Sequence, residues 1–481
     1  MHTQPQPAAT LPTTPLPGEP HTGLVDPLVL LGYQPIARLR PRHAREITGS
    51  PWSIGCETCD RDYVDFDQAG PYLGELGAKS VRLQAGWAKC DPGDGTYQWD
   101  WLDTIVDSAL AQGVRPWLET SYGNPAYPGG GGIGLAQGLP HSDQALAAWY
   151  RWVAALVQRY GNRIDTWEVW NEPDNHAEGD TENENPAEAY TEFFVRTART
   201  VRQHQPHAVM VGLALAGAHG YAESFVQGLA DRNATDLLSE LCYHFYPHNP
   251  DRQFERVEGF AQLLQELAPH VRLRQGETGA PAETQRFMAM GQYEWSPRKQ
   301  AVWNLRRMLA HHARGIPMNL FQLADMRYEG RDGALHTGYN PKGQLRIRED
   351  LTVESKRPSF FMAQHVFGLL DDAYPLRALD PLPVGSDAES CAYAWTRKGQ
   401  DTPSLIAWWQ CDRAPGLEDS PLGVAQLDTP MLNRAALVDL LSGTVFEPPA
   451  NASDLPITDV PLMLADRDVL HTQPLTNPGQ P

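Results

Sequence analysis

Two glutamates stand where acid/base chemistry would need them. Glu172 follows the β-forming run Ile164-Asp165-Thr166-Trp167-Glu168-Val169-Trp170, with Asn171 before it and Pro173 after it. Pro173 has no N–H for a ladder, so the strand stops there and leaves Glu172 at its carboxyl end. Glu277 closes a second run, Val271-Arg272-Leu273-Arg274-Gln275-Gly276-Glu277, followed by Thr278-Gly279. Glycines beside it let a ligand come close to the backbone. Two facing carboxyl groups divide labour when one is held ionised as a nucleophile and the other stays protonated as an acid. A separation of roughly 5–5.5 Å suits glycosyl transfer with retention, and roughly 6.5–9.5 Å suits inversion. Taken singly, Glu172 also reads as a solvated strand-exit carboxylate and Glu277 as the partner of a rim arginine.

Further residues add to this pair. Arg82 lies within Ser80-Val81-Arg82-Leu83-Gln84, where it either holds a nearby carboxylate ionised or makes a structural ion pair. His244-Phe245-Tyr246 ends another run, and its period of two puts His244 and Tyr246 on one face, with Tyr246 in reach of Glu277. Trp87, Tyr122, Tyr127 and Trp170 fall at predicted strand ends and Trp295 in a later loop; such rings stack on sugars or simply fill the core. The charged stretch Glu57-Thr58-Cys59-Asp60-Arg61-Asp62 reads as a salt-bridged loop or, through Glu57, as a contact to a terminal sugar.

The elements that position these residues alternate in type. Predicted strands are Trp52–Gly55, Ser80–Gln84, Val114–Thr120, Ile164–Trp170, Ala208–Leu215, Leu238–Tyr246, Val271–Glu277 and Met318–Leu323. Amphipathic helices follow them: 66–76, 99–112, 142–160, 186–205, 221–229, 254–267, 299–313 and 359–370. Gly77 and Gly113 stop two of the helices, and Asn185 with Pro186 starts another. Eight such units fit a (β/α)8 TIM barrel over 51–372, which puts Glu172 after strand four and Glu277 after strand seven at one mouth. No G-x-G-x-x-G follows the first strand, which argues against a dinucleotide fold. From 373 to 473 the pattern becomes short strands and hairpins, a small C-terminal all-β, sandwich-like domain. Residues 21–50 are expected to pack outside the barrel, 1–20 to be a disordered leader, and 474–481 to fray.

Composition bounds the partners. The 481 residues carry 59 Asp and Glu against 39 Lys and Arg, a formal charge of −20 that gives a polyanion such as nucleic acid no purchase. No apolar run is long enough to span a membrane. The first residues lack the basic and apolar regions of a secretion signal, so a cytoplasmic location is expected. Six scattered cysteines, including Cys56-x-x-Cys59, lack zinc spacing and read as reduced thiols.

Together, Trp167-Glu168-Val169-Trp170-Asn171-Glu172-Pro173, Arg82, His244-x-Tyr246 and Gly276-Glu277-Thr278-Gly279 resemble glycoside hydrolase clan A. Gly95-x-Tyr97-x-Trp99 and the trailing β domain are most similar to family 39, with family 5 a near alternative. The resemblance implies a retaining glycosidase with Glu172 as acid/base, Asn171 on the sugar 2-hydroxyl, Glu277 as nucleophile and no cofactor. The eighth strand, Asn319-Leu320-Phe321-Gln322-Leu323, departs from the clan by lacking a tryptophan. The expected substrate is a β-linked oligosaccharide or glycoside, attacked from a chain end because long loops suggest a pocket. A transglycosidase, a non-catalytic carbohydrate-binding barrel, and a metal-dependent hydrolase using His244, His248 and Asp325 are the alternatives.

Overall fold

In the computed structural model the described residues are 25–175, 186–285, 288–328, 338–379, 382–418, 420, 422–427, 429–449 and 455–475. The expected leader, most of the expected tail, and Asn185 lie outside them.

Strand β1 (Pro35–Leu39) precedes a closed parallel barrel. Its eight strands are β2 (Trp52–Gly55), β3 (Ser80–Gln84), β4 (Arg115–Thr120), β5 (Thr166–Val169), β6 (Val209–Leu215), β7 (Glu240–Tyr243), β8 (Arg272–Thr278) and β9 (Met318–Leu320). Helices connect consecutive strands, as parallel pairing demands. Two of their starts show why these residues form helices. The hydroxyl of Ser142 accepts from the Ala145 N–H ahead of Asp143–Tyr160, and that of Ser296 from the Lys299 N–H ahead of Pro297–Ala313. The expected helix over 66–76 is two short ones, Phe66–Ala69 and Tyr72–Leu76. Pro71 between them cannot supply the N–H that a continuous helix would use.

Fewer residues than expected are strand at two functional ends. β5 stops at Val169 and β7 at Tyr243, so Trp170 to Glu172 and His244 to Tyr246 belong to the loops at the mouth. Trp170 and Glu172 have φ of 67° and 48°, a left-handed region that costs a non-glycine residue about 1–3 kcal/mol. That sharp turn takes the chain out of the sheet.

The loop after β9 carries two small hairpins that the sequence pattern did not reveal. These pair β10 (Met326–Arg327) with β11 (Tyr339–Asn340) and β12 (Leu345–Ile347) with β13 (Val353–Lys356). Beyond the last barrel helix, Pro358–Leu369, lie β14 (Ser390–Thr396), β15 (Pro403–Gln410), β16 (Gly423–Ala425), β17 (Ala435–Asp439), β18 (Thr444–Phe446), β19 (Leu455–Ile457), β20 (Leu462–Asp466) and β21 (Thr472–Gln473). Seven strands form one sheet in the order β14-β15-β20-β17-β18-β1-β21. β1 therefore crosses from the front of the chain into the C-terminal sheet, antiparallel to β18 and β21.

Nine of the 14 tryptophans are almost fully buried, including Trp87, Trp149, Trp152 and Trp167 around the barrel and Trp395, Trp408 and Trp409 in the sheet. Burying such rings is a large part of the apolar driving force, so most tryptophans here are core.

Candidate active site

The barrel interior is charged rather than aliphatic near its mouth. Alternate residues of each strand point inward, which brings Arg82 of β3, Glu119 of β4, Glu168 of β5 and Glu277 of β8 toward the axis. All five N–H groups of the Arg82 guanidinium are used. Nε donates to Glu168 Oε2 at 2.7 Å, and Nη2 donates to Glu119 Oε2 and to Asn171 Oδ1, the latter at 2.9 Å. Nη1 donates to Glu57 Oε1 at 3.1 Å and to Glu277 Oε2 at 3.2 Å. Both readings of Arg82 thus hold: it is a buried structural ion pair and it reaches Glu277.

Glu277 also accepts from the Tyr246 hydroxyl at 2.6 Å. Each of its two oxygens thus has a donor, Oε2 from Arg82 and Oε1 from Tyr246. Glu172 sits in a different setting. Its backbone N–H donates to the Ala214 carbonyl, and its carboxyl accepts from Asn175 Nδ2 at 3.3 Å. Asp174, two residues on, accepts from the N–H groups of Ala216, Gly217 and Ala218 at 2.8–2.9 Å and so ties the Glu172 turn to the exit of β6. Burial raises the Glu172 pKa to about 7, and the nearby Asp174 charge adds to the rise. Desolvation is the larger cause.

His244 lies between the two. Its Nδ1 is 3.0 Å from Glu172 Oε1 and 3.6 Å from Glu277 Oε2, and burial lowers its pKa to about 4. A neutral imidazole at that position can accept from protonated Glu172 or donate to ionised Glu172. One ligand atom each from Glu172, His244 and Glu277 lie within 4.8 Å of one another. Such a trio can also surround a cation, as can Glu168, Cys242 and His244 beneath it. Glu168 and Glu277, however, are already bound to Arg82.

These groups open on a cavity of about 390 Å³. Glu57, Tyr122, Asn171, Glu172, His244, Tyr246 and Glu277, all named from sequence, line it. Asn171 is oriented by donating from Nδ2 to the Tyr122 hydroxyl at 2.8 Å while accepting from Arg82. Three expected residues are not on the wall. Arg82 lies below it. Trp170 is packed behind it against Tyr122, Trp149 and Phe193. Trp295 packs with Met290 and Trp303, its indole N–H on the Met290 carbonyl at 2.9 Å, and it braces the loop after β8 instead of facing a ligand.

Other wall residues were not anticipated: Arg61, Gln84, Asn175, Phe321, Asn340 and Lys342. Phe321 occupies the exit of β9 where the missing tryptophan was noted, and an aromatic at that exit was the available signal. Asn340 and Lys342 come from the hairpin region after β9, which no local pattern announced. Burial lowers the Lys342 pKa to about 8, opposed by the charges of Glu277 and Glu172. The charged loop after β2 is salt-bridged, Arg61 to Asp60 at 3.2 Å and Lys89 to Asp62 at 2.7 Å, and it also lines the cavity through Glu57, Thr58 and Arg61. Cys56 and Cys59 are free and buried, 3.9 Å apart. The alternative metal set is not assembled. Asp325 is bound through both oxygens by Arg357, and His248 stacks on Tyr293 with ring centroids 3.6 Å apart.

The family description Glycosyl hydrolases family 39 matches residues 85–254. A β-xylosidase of Geobacillus stearothermophilus is 29% identical over 171 residues, which cover 31% of this chain and 31% of the relative. The chain therefore matches less than a third of that relative's length. Among solved structures, a family 39 glycoside hydrolase from Bacteroides cellulosilyticus superposes with a TM-score of 0.64 at 17% identity, over 87% of this chain and 81% of that one. A monomeric β-xylosidase from Caulobacter crescentus superposes with a TM-score of 0.54 at 16% identity, over 89% and 98%. At such identities the superpositions establish the shared barrel fold.

Proposed function

With family 39 of the clan A glycoside hydrolases as the group this chain resembles, we propose that it is a retaining glycosidase acting on β-linked glycosides or oligosaccharides from a chain end. Glu277 attacks the anomeric carbon while Glu172 donates its proton to the leaving oxygen. Glu172 then takes a proton from water, which displaces Glu277 and releases the sugar with its configuration kept. The observation that carries this reading is the close approach of Glu172 and Glu277, one oxygen of each within 4.8 Å. That spacing is nearer the separation of about 5–5.5 Å that suits direct attack by the carboxylate than the roughly 6.5–9.5 Å that suits inversion.

The two environments support the division of labour. Arg82 and Tyr246 favour the charged Glu277, and burial favours protonated Glu172 near neutral pH. Asn171, pinned between Arg82 and Tyr122, presents its free amide hydrogen toward a sugar hydroxyl. Action at a chain end is supported by the cavity walls. Leu135 from the loop after β4 and Met288 and Ala289 from the loop after β8 narrow a space that fits one or two sugar rings. The xylosidase named among the relatives makes a β-xyloside the first substrate to try.

The test is hydrolysis of a panel of nitrophenyl glycosides by the parent chain, Glu172→Ala and Glu277→Ala. Turnover of one glycoside, loss of it in Glu277→Ala, and recovery of Glu172→Ala by azide with a β-glycosyl azide product support the reading. Parent-like rates in both variants would remove it.

A further inference from the structure

One buried cation serves four carboxyl groups at the base of this site: Glu57, Glu119, Glu168 and Glu277 all bond to Arg82. Full ionisation would leave a surplus of negative charge away from water, which is too costly to persist. At least one of the four carries a proton. Their other contacts decide which.

Glu277 has Tyr246 on its second oxygen, and Glu119 has both Ser121 and Gln84. Glu168 has an oxygen, Oε1, that is buried without a hydrogen-bond partner among the described residues, but it holds the 2.7 Å bond from Nε, a nitrogen it shares with no other carboxyl group. Glu57 is 2% exposed, and its Oε2 is buried without a hydrogen-bond partner among the described residues. Its bond to another side chain is to Arg82 Nη1, the nitrogen that also serves Glu277, and its own backbone N–H opposes the rise in its pKa. The two carboxyl groups compete for the same positive charge.

We propose that Glu57 is a positioning residue that stays a neutral acid, so that Arg82 Nη1 gives its charge to the carboxylate of Glu277. The electrostatics of the cluster agree. Burial raises the Glu57 pKa to about 8, Arg82 opposes the rise, and the charges of Glu277 and then Glu119 add to it. The groups facing Glu57 are Arg82 on β3, Glu119 on β4, Tyr246 after β7 and Glu277 on β8, with Cys56 beside it in its own loop. Among these only Arg82 is a cation.

This inference rests on Glu277 being the nucleophile, and it assigns Glu57 to the second half of the reaction. When water releases the sugar, the C–O bond to Glu277 breaks and the electron pair returns to Glu277 as a carboxylate. The proton of the water goes to Glu172. Ionised Glu57 would keep Nη1 for itself and make that departure harder. Attack by Glu277, which loses charge, gains nothing from a neutral Glu57. Ionisation of Glu57 therefore slows release of the sugar and spares its capture.

The first test needs no turnover. In a carbon-13 titration of glutamate carboxyls, one resonance titrates near pH 8 in the parent, vanishes in Glu57→Gln and moves to lower pH in Glu277→Gln. A resonance that is absent, or that Glu277→Gln leaves in place, overturns the proposal even if the glycosidase reading stands. The second test uses a dinitrophenyl glycoside, whose leaving group needs no proton. Parent kcat is expected to fall about tenfold, the equivalent of one pKa unit of coupling, as pH rises through the Glu57 pKa of the glycosyl-enzyme, which lies below that of the free enzyme because Glu277 is uncharged there, while kcat/KM does not follow it. Glu57→Gln removes the fall. Should Glu57→Gln fail to fold, Gly55→Ala serves instead, because its added methyl would lie 2.4 Å from Glu57 Oε2 and displace the carboxyl. The same fall in kcat in both variants would overturn the proposal.

Discussion

Two sets of buried charges in this molecule are built on opposite plans. Where the helix Pro297–Ala313 meets the C-terminal sheet, two of its buried arginines hold a carboxylate each, and a third, Arg307, donates to the Pro250 and Arg252 carbonyls. Arg298 bonds to Asp459 at 3.1 Å, and Asp459 also accepts from the Gly416 N–H. Arg306 bonds to Asp251, whose other oxygen accepts from Trp409 of β15 at 3.1 Å. Each of these two pairs is balanced within itself, and the bonds join barrel to sheet. At the barrel mouth Arg82 holds four carboxyl groups; burial raises the pKa of Glu57 to about 8 and that of Glu119 to about 7, and the charge of neighbouring carboxylates adds to both rises. Balanced pairs hold parts together. An unbalanced cluster keeps protons and charges poised to move, which is what a carboxylate-driven reaction uses.

Breaking each cluster should give different losses. The largest effect is expected for Glu277→Ala, about 10⁴-fold or more in kcat with the melting temperature little changed, read from steady-state kinetics and calorimetry. Arg82→Met should destabilise the fold by about 3–5 kcal/mol, since it strands several buried carboxyl groups, and denaturant unfolding measures it. Arg298→Met should cost about 3 kcal/mol in the same assay, yet the folded fraction should keep its kcat. Pairing it with Asp459→Leu should restore most of that loss, whereas no single second change can restore Arg82→Met. Tyr246→Phe removes one hydrogen bond to a charged group, worth about 1.5–3 kcal/mol, and should lower kcat/KM by about 10–100-fold. The smallest change is in pH dependence. Glu172 must be protonated to assist a poor leaving group, so kcat/KM for a methyl glycoside should fall as pH rises through about 7, while a dinitrophenyl glycoside should escape that fall.

The same contrast explains what could be read from sequence. The barrel was legible because eight β runs alternate with helical ones, and Glu172 and Glu277 were legible because each ends a run beside Pro173 or Gly276. Arg82 was found by type and read as holding a nearby carboxylate, but its pairing with Glu57, Glu119 and Glu168 was not foreseen. Glu119 and Glu168 lie mid-strand, and only closure of the barrel turns them toward one guanidinium. Lys342 and Asn340 were invisible for a related reason: the hairpins that carry them to the wall depend on packing over the mouth. Trp170 and Trp295 were expected to face a ligand, yet both are buried behind the wall, since a large ring near a strand end is as useful to the core as to a sugar. β1 gave no sign of its destination, because a five-residue strand at the chain's front pairs only with β18 and β21 more than 400 residues away.

The most direct measurement is to treat the protein with a 2-fluoro-2-deoxy glycoside bearing a dinitrophenyl leaving group and find the labelled peptide by mass spectrometry. The electron-poor sugar slows release more than attack, so a retaining enzyme accumulates its covalent intermediate. The account predicts one sugar per chain, bound to Glu277. A label on Glu57 or Glu172, or turnover that leaves no label and gives an inverted product, would contradict it.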